Sequence, residues 1–348
     1  MTTYANATLD VQDILKALSK NTPDWAAAAA IWSEGKNSFR NLETGVKRIM
    51  KLTMERNFGA ENYFAFANAY YGEATYASRP IEQALLGQGD FAADGGKYGC
   101  CAVRQAYVGA LARFYGPLYF YHESDAGQIK AGQGKIETAF NELDDAVACV
   151  MAPRVVRSSK ASDNGFKISG RVGPGYNFWD WSAAVAKGAC AVRSGKADVP
   201  AKLLAAFTAA KATVNPGTAT DPEQAAAAYA DKLLVASRPI AATFVRAALA
   251  SAREAAKTYT ARPSASKCST SCAVWRSHLA YAHAYWYIAE SALARLGAAP
   301  EALRAVRDLV DPAVVTARRD TGTKFAAAVK PVVESAGFSF RKDVYLCA

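Results

Sequence analysis

The chain has 348 residues, of which 51% are hydrophobic and 21% charged, and it carries a net charge of +10. That length bounds it to one large domain or two of ordinary size, and that apolar content excludes a disordered chain. The charge favours anionic partners. Lys and Arg are nevertheless spread along the whole length without a clustered basic face, so nucleic acid is not an expected partner.

In chain order, Val11 to Leu18 reads as a short amphipathic helix with Leu9-Asp10 before it as a cap. Pro23-Asp24-Trp25 opens a second helix, with Asp24 as its N-cap. Tyr63, Phe66, Tyr70 and Ala77 follow a helical period and predict a helix from Tyr63 to Ser78. Pro80 then breaks the chain or opens the next helix in its first turn. The glycine-rich stretch 87–99 is a loop. Arg104 to His122 predicts an aromatic helix kinked or stopped at Gly116-Pro117, and Ile136 to Met151 predicts another. Residues 153–178 change character: Arg154, Arg157, Lys160, Lys167 and Arg171 sit among Ser, Gly and Pro, as in a basic linker or surface excursion. Arg154-Val-Val-Arg and Phe166-Lys-Ile are its strand candidates. Helical pattern resumes near Trp179, with breaks at Asn215-Pro216-Gly217 and at 264–271. No apolar stretch approaches the ~20 residues of a membrane span, so no transmembrane segment is expected. The expected fold class is all-α.

A repeat organises this pattern. Ala-Ser-Arg-Pro-Ile occurs at 77–81 and again at 236–240, and at the same offset Tyr70 falls on Tyr229. Pro23-Asp-Trp-Ala-Ala resembles Trp179-Asp-Trp-Ser-Ala, and Cys100-Cys-Ala-Val-Arg resembles Cys272-Ala-Val-Trp-Arg. The features recur in the same order, which predicts an internal duplication: a first helical unit at 1–152, the basic segment 153–178, and a second unit with a C-terminal extension at 179–348, packed as a pseudo-twofold pair.

There is no phosphate-binding glycine loop, no His-Glu-x-x-His and no nucleophile elbow, and only three histidines occur. Oxygen donors are plentiful. Tyr63, Tyr70 and Glu73 fall on one expected helical face, with Arg79 following. Arg276, His283, Tyr287 and Glu290 share another, and Tyr115, Tyr119, His122, Glu123 and Asp125 cluster in the first half. Phenolate, carboxylate and imidazole suit a hard or borderline cation such as ferric iron, and a guanidinium holds a bridging anion. Against this stands the commoner meaning of such stripes, a core of buried tyrosine rings. The seven cysteines read either as buried small hydrophobes or as three disulfides and an odd thiol in an exported protein. Zinc is disfavoured, because no pair of Cys-x2-Cys knuckles occurs. Asn6-Ala7-Thr8 is an N-glycosylation sequon.

Tyr4-Ala-Asn-Ala-Thr with Asp10-Val-Gln-Asp-Ile-Leu, Ile31-Trp-Ser-Glu-Gly-Lys-Asn-Ser, Tyr70-Tyr-Gly-Glu and Tyr121-His-Glu-Ser-Asp together resemble the algal low-iron-inducible periplasmic proteins, also described as iron-assimilating or high-CO2-inducible proteins. The likeness spans most of residues 4–150 and, more weakly, the second half; Glu34-Gly-Lys-Asn-Ser38 is its sharpest piece. In proposed role this family is similar to the phytotransferrins. The resemblance implies a non-catalytic protein that is secreted, resides in the periplasmic space or at the cell surface with its signal peptide removed, and takes up ferric iron together with carbonate for iron assimilation. A cell-surface receptor or ferric transporter is the macromolecular partner it implies. Side-chain chemistry on these segments offers Tyr70, Glu73, His122, Glu123, Tyr229, His283 and Glu290 as metal-ligand candidates, with Arg79 and Arg238 holding the anion. Lys232 stands where the second copy would need a counterpart of Glu73, so one working site is expected. Two other readings are a CO2- or bicarbonate-handling enzyme, disfavoured by the scarcity of histidine, and a helical module binding cell-wall polysaccharide.

Overall fold

The computed structural model describes residues 2–20, 22–37, 39–41, 47–49, 58–59, 61–151, 155–157, 166–168, 177–188, 192–193, 196–215, 221–259, 274–315 and 317–344. The protein is all-α. Its helices are α1 (Thr2–Leu18), α2 (Trp25–Glu34), α3 (Asn62–Tyr71), α4 (Ser78–Leu86), α5 (Cys101–Leu111), α6 (Tyr115–Gly132), α7 (Ile136–Met151), α8 (Phe178–Gly188), α9 (Asp198–Thr213), α10 (Pro222–Tyr259), α11 (Val274–Arg295), α12 (Pro300–Asp308) and α13 (Thr321–Ser335). Three short antiparallel ribbons accompany them: β1 (Phe39–Asn41) with β2 (Lys47–Ile49), β3 (Val155–Arg157) with β4 (Phe166–Ile168), and β5 (Val192–Arg193) with β6 (Lys196–Ala197). The two strand candidates of the sequence are β3 and β4, and they pair with each other.

α10 is the centre. It packs against α6, α9, α11 and α13, while α11 packs against α5 and α6 against α7. One continuous hydrophobic core runs through both sequence halves, from Ile14, Phe64 and Phe120 to Phe244, Trp286 and Phe325. Each such side chain stabilises the fold by roughly 1.5–3 kcal/mol through burial. By length and composition alone, α10 is long and apolar enough to cross a membrane. Yet 78% of its apolar window is buried inside the protein, as a core helix requires.

Several helix boundaries depart from the sequence expectation. α1 begins at Thr2, so Asp10 is not a cap but a buried mid-helix carboxylate. Its Oδ1 accepts from the Asn37 backbone N–H at 2.7 Å and from Asn37 Nδ2 at 2.8 Å, while Lys36 pairs with Asp13 at 2.8 Å. The Glu34-Gly-Lys-Asn segment thus ties the end of α2 to α1. Gly35 permits the turn with a φ of 73°. Asp24 does cap α2, accepting from the Ala27 N–H at 3.1 Å. α3 stops at Gly72, whose left-handed φ of 77° closes the helix, so Glu73 lies beyond it and not on its face. Pro80 then sits in the first turn of α4. In the aromatic stretch the break comes at a 3-10 turn, Ala112–Phe114, which leaves Pro117 in the first turn of α6.

The two Ala-Ser-Arg-Pro-Ile segments occupy different local structures. The first begins α4 after the Gly72 break; the second lies within α10, with Pro239 inside the helix. Cys149 is a buried free thiol. Cys100 and Cys101 are disulfide-bonded, but no complete cysteine pair occurs among the described residues. Cys190, Cys268, Cys272 and Cys347, most of segment 153–178, the break at 264–271 and the Asn6 side chain lie outside the described residues.

Candidate metal centre

α6 and α7 are joined by Gln133 to Lys135, a connection so short that they must pack antiparallel. That packing sets Glu123 of α6 against Glu142 and Asp145 of α7, which share a face of α7 at a spacing of three. One ligand oxygen from each lies within 4.8 Å of the others. Glu123 is buried, and the two α7 carboxylates are half-buried.

His122 stands beside them. Its ring stacks on Phe58 at 3.7 Å, and its Nδ1 meets both oxygens of Glu61, at 2.8 and 3.0 Å. Nε2 lies 3.8 Å from Glu123 Oε1. A carboxylate that fixes one ring nitrogen while the other faces a donor cluster is the usual orientation of a metal-binding histidine. Burial pulls the His122 pKa down, but the Glu61 hydrogen bond and the carboxylates of Glu123, Glu61 and Glu142 outweigh it and carry it up.

The fifth group comes from α10. The Tyr229 hydroxyl is buried and has no hydrogen-bond partner among the described residues. It sits in the seam between α6 and α7: a Cβ on Gly127 would lie 2.5 Å from it and 3.4 Å from the Ala139 carbonyl oxygen. Gly127 is one turn from Glu123 on α6, and Ala139 is one turn from Glu142 on α7, so the hydroxyl enters the seam one turn along the helices from the backbone positions that carry those two carboxylates. Burial, and after it the charges of Glu142, Asp125 and Glu123, push its pKa far above the usual tyrosine value. An ordinary tyrosine would not ionise there; a cation in the seam is what would favour the phenolate.

The other candidates gather elsewhere. A cavity of about 280 Å3 between the Glu73–Arg79 turn, α5, α11 and α12 is lined by Glu73, Arg79, Lys97, Tyr107, His283 and Asp311, among others. Four of its charged groups pair with each other: Glu73 with Arg79 at 2.6 Å and Asp311 with Lys97 at 2.6 Å. His283 shares a 2.6 Å hydrogen bond with the Tyr107 hydroxyl through Nδ1, and burial and then Arg307 depress its pKa, which keeps it neutral. Below the cavity, Tyr70 donates to Glu290 Oε2 at 3.2 Å and Arg307 pairs with the same oxygen at 3.0 Å. Burial, opposed by Arg307 and Tyr70, pushes the Glu290 carboxyl up to about 7. Tyr71 donates to the Tyr287 carbonyl at 2.5 Å, and the Tyr287 hydroxyl donates to the Tyr76 carbonyl at 2.8 Å. This is the expected α11 stripe of His283, Tyr287 and Glu290, used as a polar clasp onto α3, the turn after it and α5. Arg238 donates to the Gly337 carbonyl and packs on Phe338, in a third place.

The structure therefore brings together His122, Glu123 and Tyr229 and separates them from Tyr70, Glu73, His283 and Glu290. Arg79 and Arg238 face neither Glu123 nor each other. Arg238 is nine residues beyond Tyr229 on α10, about 13 Å of helix rise. Sequence reasoning missed Glu61, Glu142 and Asp145. The signals were present: Glu142-x-x-Asp145 on a helix one short turn away from His122-Glu123, and a glycine in the middle of α6.

No family model, curated protein or solved structure matches this chain.

Proposed function

We propose that this chain is a non-catalytic ferric-iron-binding protein of iron assimilation, exported to the periplasmic space or the cell surface. Its metal centre is the α6–α7 cluster, with Glu123, Glu142, Asp145 and His122 as ligands and Tyr229 as the phenolate donor. The observation that carries the reading is the approach of three carboxylates to within 4.8 Å of one another, beside a histidine that Glu61 orients and whose Nε2 lies 3.8 Å from one of them, Glu123. Hard oxygen donors with one imidazole suit Fe3+ by ligand softness. The resemblance to the algal iron-assimilating proteins supports the same reading; in an internally duplicated chain the first unit would supply His122, Glu123, Glu142 and Asp145 and the second Tyr229. Export is compatible with the disulfide-bonded state of Cys100 and Cys101.

The anion-holding role that the sequence suggested for Arg79 and Arg238 does not enter this proposal. Arg79 is paired with Glu73, and Arg238 lies on another face, so neither brings an anion to the cluster. Three carboxylates and the Tyr229 phenolate already supply the negative charge that Fe3+ needs. In this proposal bicarbonate is dispensable for binding.

The test is a titration with a ferric chelate, with and without bicarbonate, read by calorimetry and by the tyrosinate-to-iron charge-transfer absorption. One saturable site, lost in Glu142→Gln/Asp145→Asn, is expected in both conditions. Binding that survives the double substitution, or no heat and no band at all, would sink the proposal.

A further inference from the structure

A second cavity, of about 510 Å3, opens between α9, α10 and the C-terminal turn Phe340–Val344, a volume within the roughly 300–1,000 Å3 of small-molecule sites. Small side chains make the space: Ala205, Ala206 and Ala209 on α9 face Ala242 and Pro239 on α10. Phe338 closes one wall, and Val235 is half-exposed at the edge.

The charged lining is lopsided, with Lys202, Lys232, Arg238 and Arg246 against the single acid Asp343. Lys202 pairs with Asp343 at 3.1 Å. Neither Lys232 nor Arg238 has an acidic partner among the described residues; Arg238 instead donates to the Gly337 carbonyl and stacks on Phe338 at 4.8 Å. Lys232, Val235, Pro239, Ala242 and Arg246 follow one another at spacings of three or four, so cationic groups flank an apolar stripe on a single face of α10.

We propose that this groove binds a single-chain anionic amphiphile, a carboxylate on a hydrocarbon tail. The tail would lie along the alanine-lined floor, where it removes apolar surface from water on both sides. Lys232 and Arg238 would hold the carboxylate, the guanidinium bidentately. A small oxyanion would leave the apolar walls in contact with water. A cationic amphiphile would meet an excess of like charge.

Calorimetric titration with dodecanoate tests this, with acetate, inorganic phosphate and dodecyltrimethylammonium as controls. One saturable dodecanoate site is expected, at levels where the three controls show none, and equally in iron-free and iron-loaded protein, which separates this groove from the metal centre. Lys232→Gln/Arg238→Gln is expected to weaken binding about tenfold or more. Ala205→Trp, at an exposed lining position, is expected to abolish it with the helical circular dichroism unchanged. Dodecyltrimethylammonium binding as well as dodecanoate, acetate or phosphate matching it, or unchanged affinity in both variants would overturn the proposal.

Discussion

Glu61 holds His122 by Nδ1 at 2.8 Å and leaves Nε2 facing Glu123 at 3.8 Å. The pair gives the proposed centre both its orientation and its pH response. Glu61→Gln is expected to lower ferric affinity by about 10–100-fold at neutral pH, because the ring loses its fixed orientation. It also removes a carboxylate that raises the His122 pKa, so protons compete less well for the imidazole. Iron binding in the variant is therefore expected to depend less steeply on pH through the His122 titration. Titrations at several pH values check both effects.

Tyr229 is expected to contribute in opposite senses to the iron-free and iron-loaded states. Its hydroxyl is buried without a partner among the described residues, so Tyr229→Phe should raise iron-free stability by about 1–3 kcal/mol in denaturant unfolding. The same substitution should erase the charge-transfer band. Gly127→Ala drives a methyl to within 2.5 Å of that hydroxyl and is expected to destabilise the fold. Gly127→Ala/Tyr229→Phe should recover part of the loss, and strict additivity of the two substitutions would contradict the placement.

Glu290 titrates at about 7 in the folded protein against 4.5 as its ordinary value. Its contribution to stability is fully present below pH 4.5 and is lost as pH rises through 7, on the order of 3 kcal/mol in all. Asp125, raised to about 6 from 3.8 chiefly by burial, acts in the same direction in a lower window. Urea midpoints across pH 4.5 to 7 should therefore fall. Glu290→Gln is expected to flatten that fall while lowering stability throughout, since Arg307 then lacks its carboxylate partner.

Gly72 ends α3 with a φ of 77°, and a Cβ there would meet nothing within 4 Å. Gly72→Ala should therefore cost only backbone strain, roughly 1–2 kcal/mol. A thermal or denaturant melt measures it, and a larger loss would mean that the turn carries packing as well.

The elements most legible in sequence were those whose signals are local. Ile136–Met151 is α7 as its periodicity predicts, the Val155 and Phe166 segments are strands, and Asp24 caps α2. Local signals misled where tertiary partners decide. Asp10 looked like a cap, yet its partner is Asn37 in the loop after α2. Glu73 shared a helical face with Tyr70 only if the helix ran through Gly72, and the left-handed glycine stops it. The candidate site was half legible: His122, Glu123 and Tyr229 were identifiable by donor chemistry. Glu142, Asp145 and Glu61 became their neighbours only once α7 folded back on α6 and the start of α3 reached His122. Tyr70, His283 and Glu290 have the same donor types, but their hydrogen bonds are spent on holding α11 to α3 and α5.

That clasp bears on how the protein is made. Tyr63, Tyr70 and Tyr71 find their hydroxyl partners on α11, 228, 220 and 216 residues further along the chain. During synthesis the first helices emerge with this aromatic face uncovered and must wait while more than half of the molecule is translated, on the order of ten seconds or longer at typical rates. A nascent chain halted between α7 and α8 therefore presents a tyrosine-rich surface with no native cover, and holding that surface apart from other chains falls to whatever meets it at the ribosome.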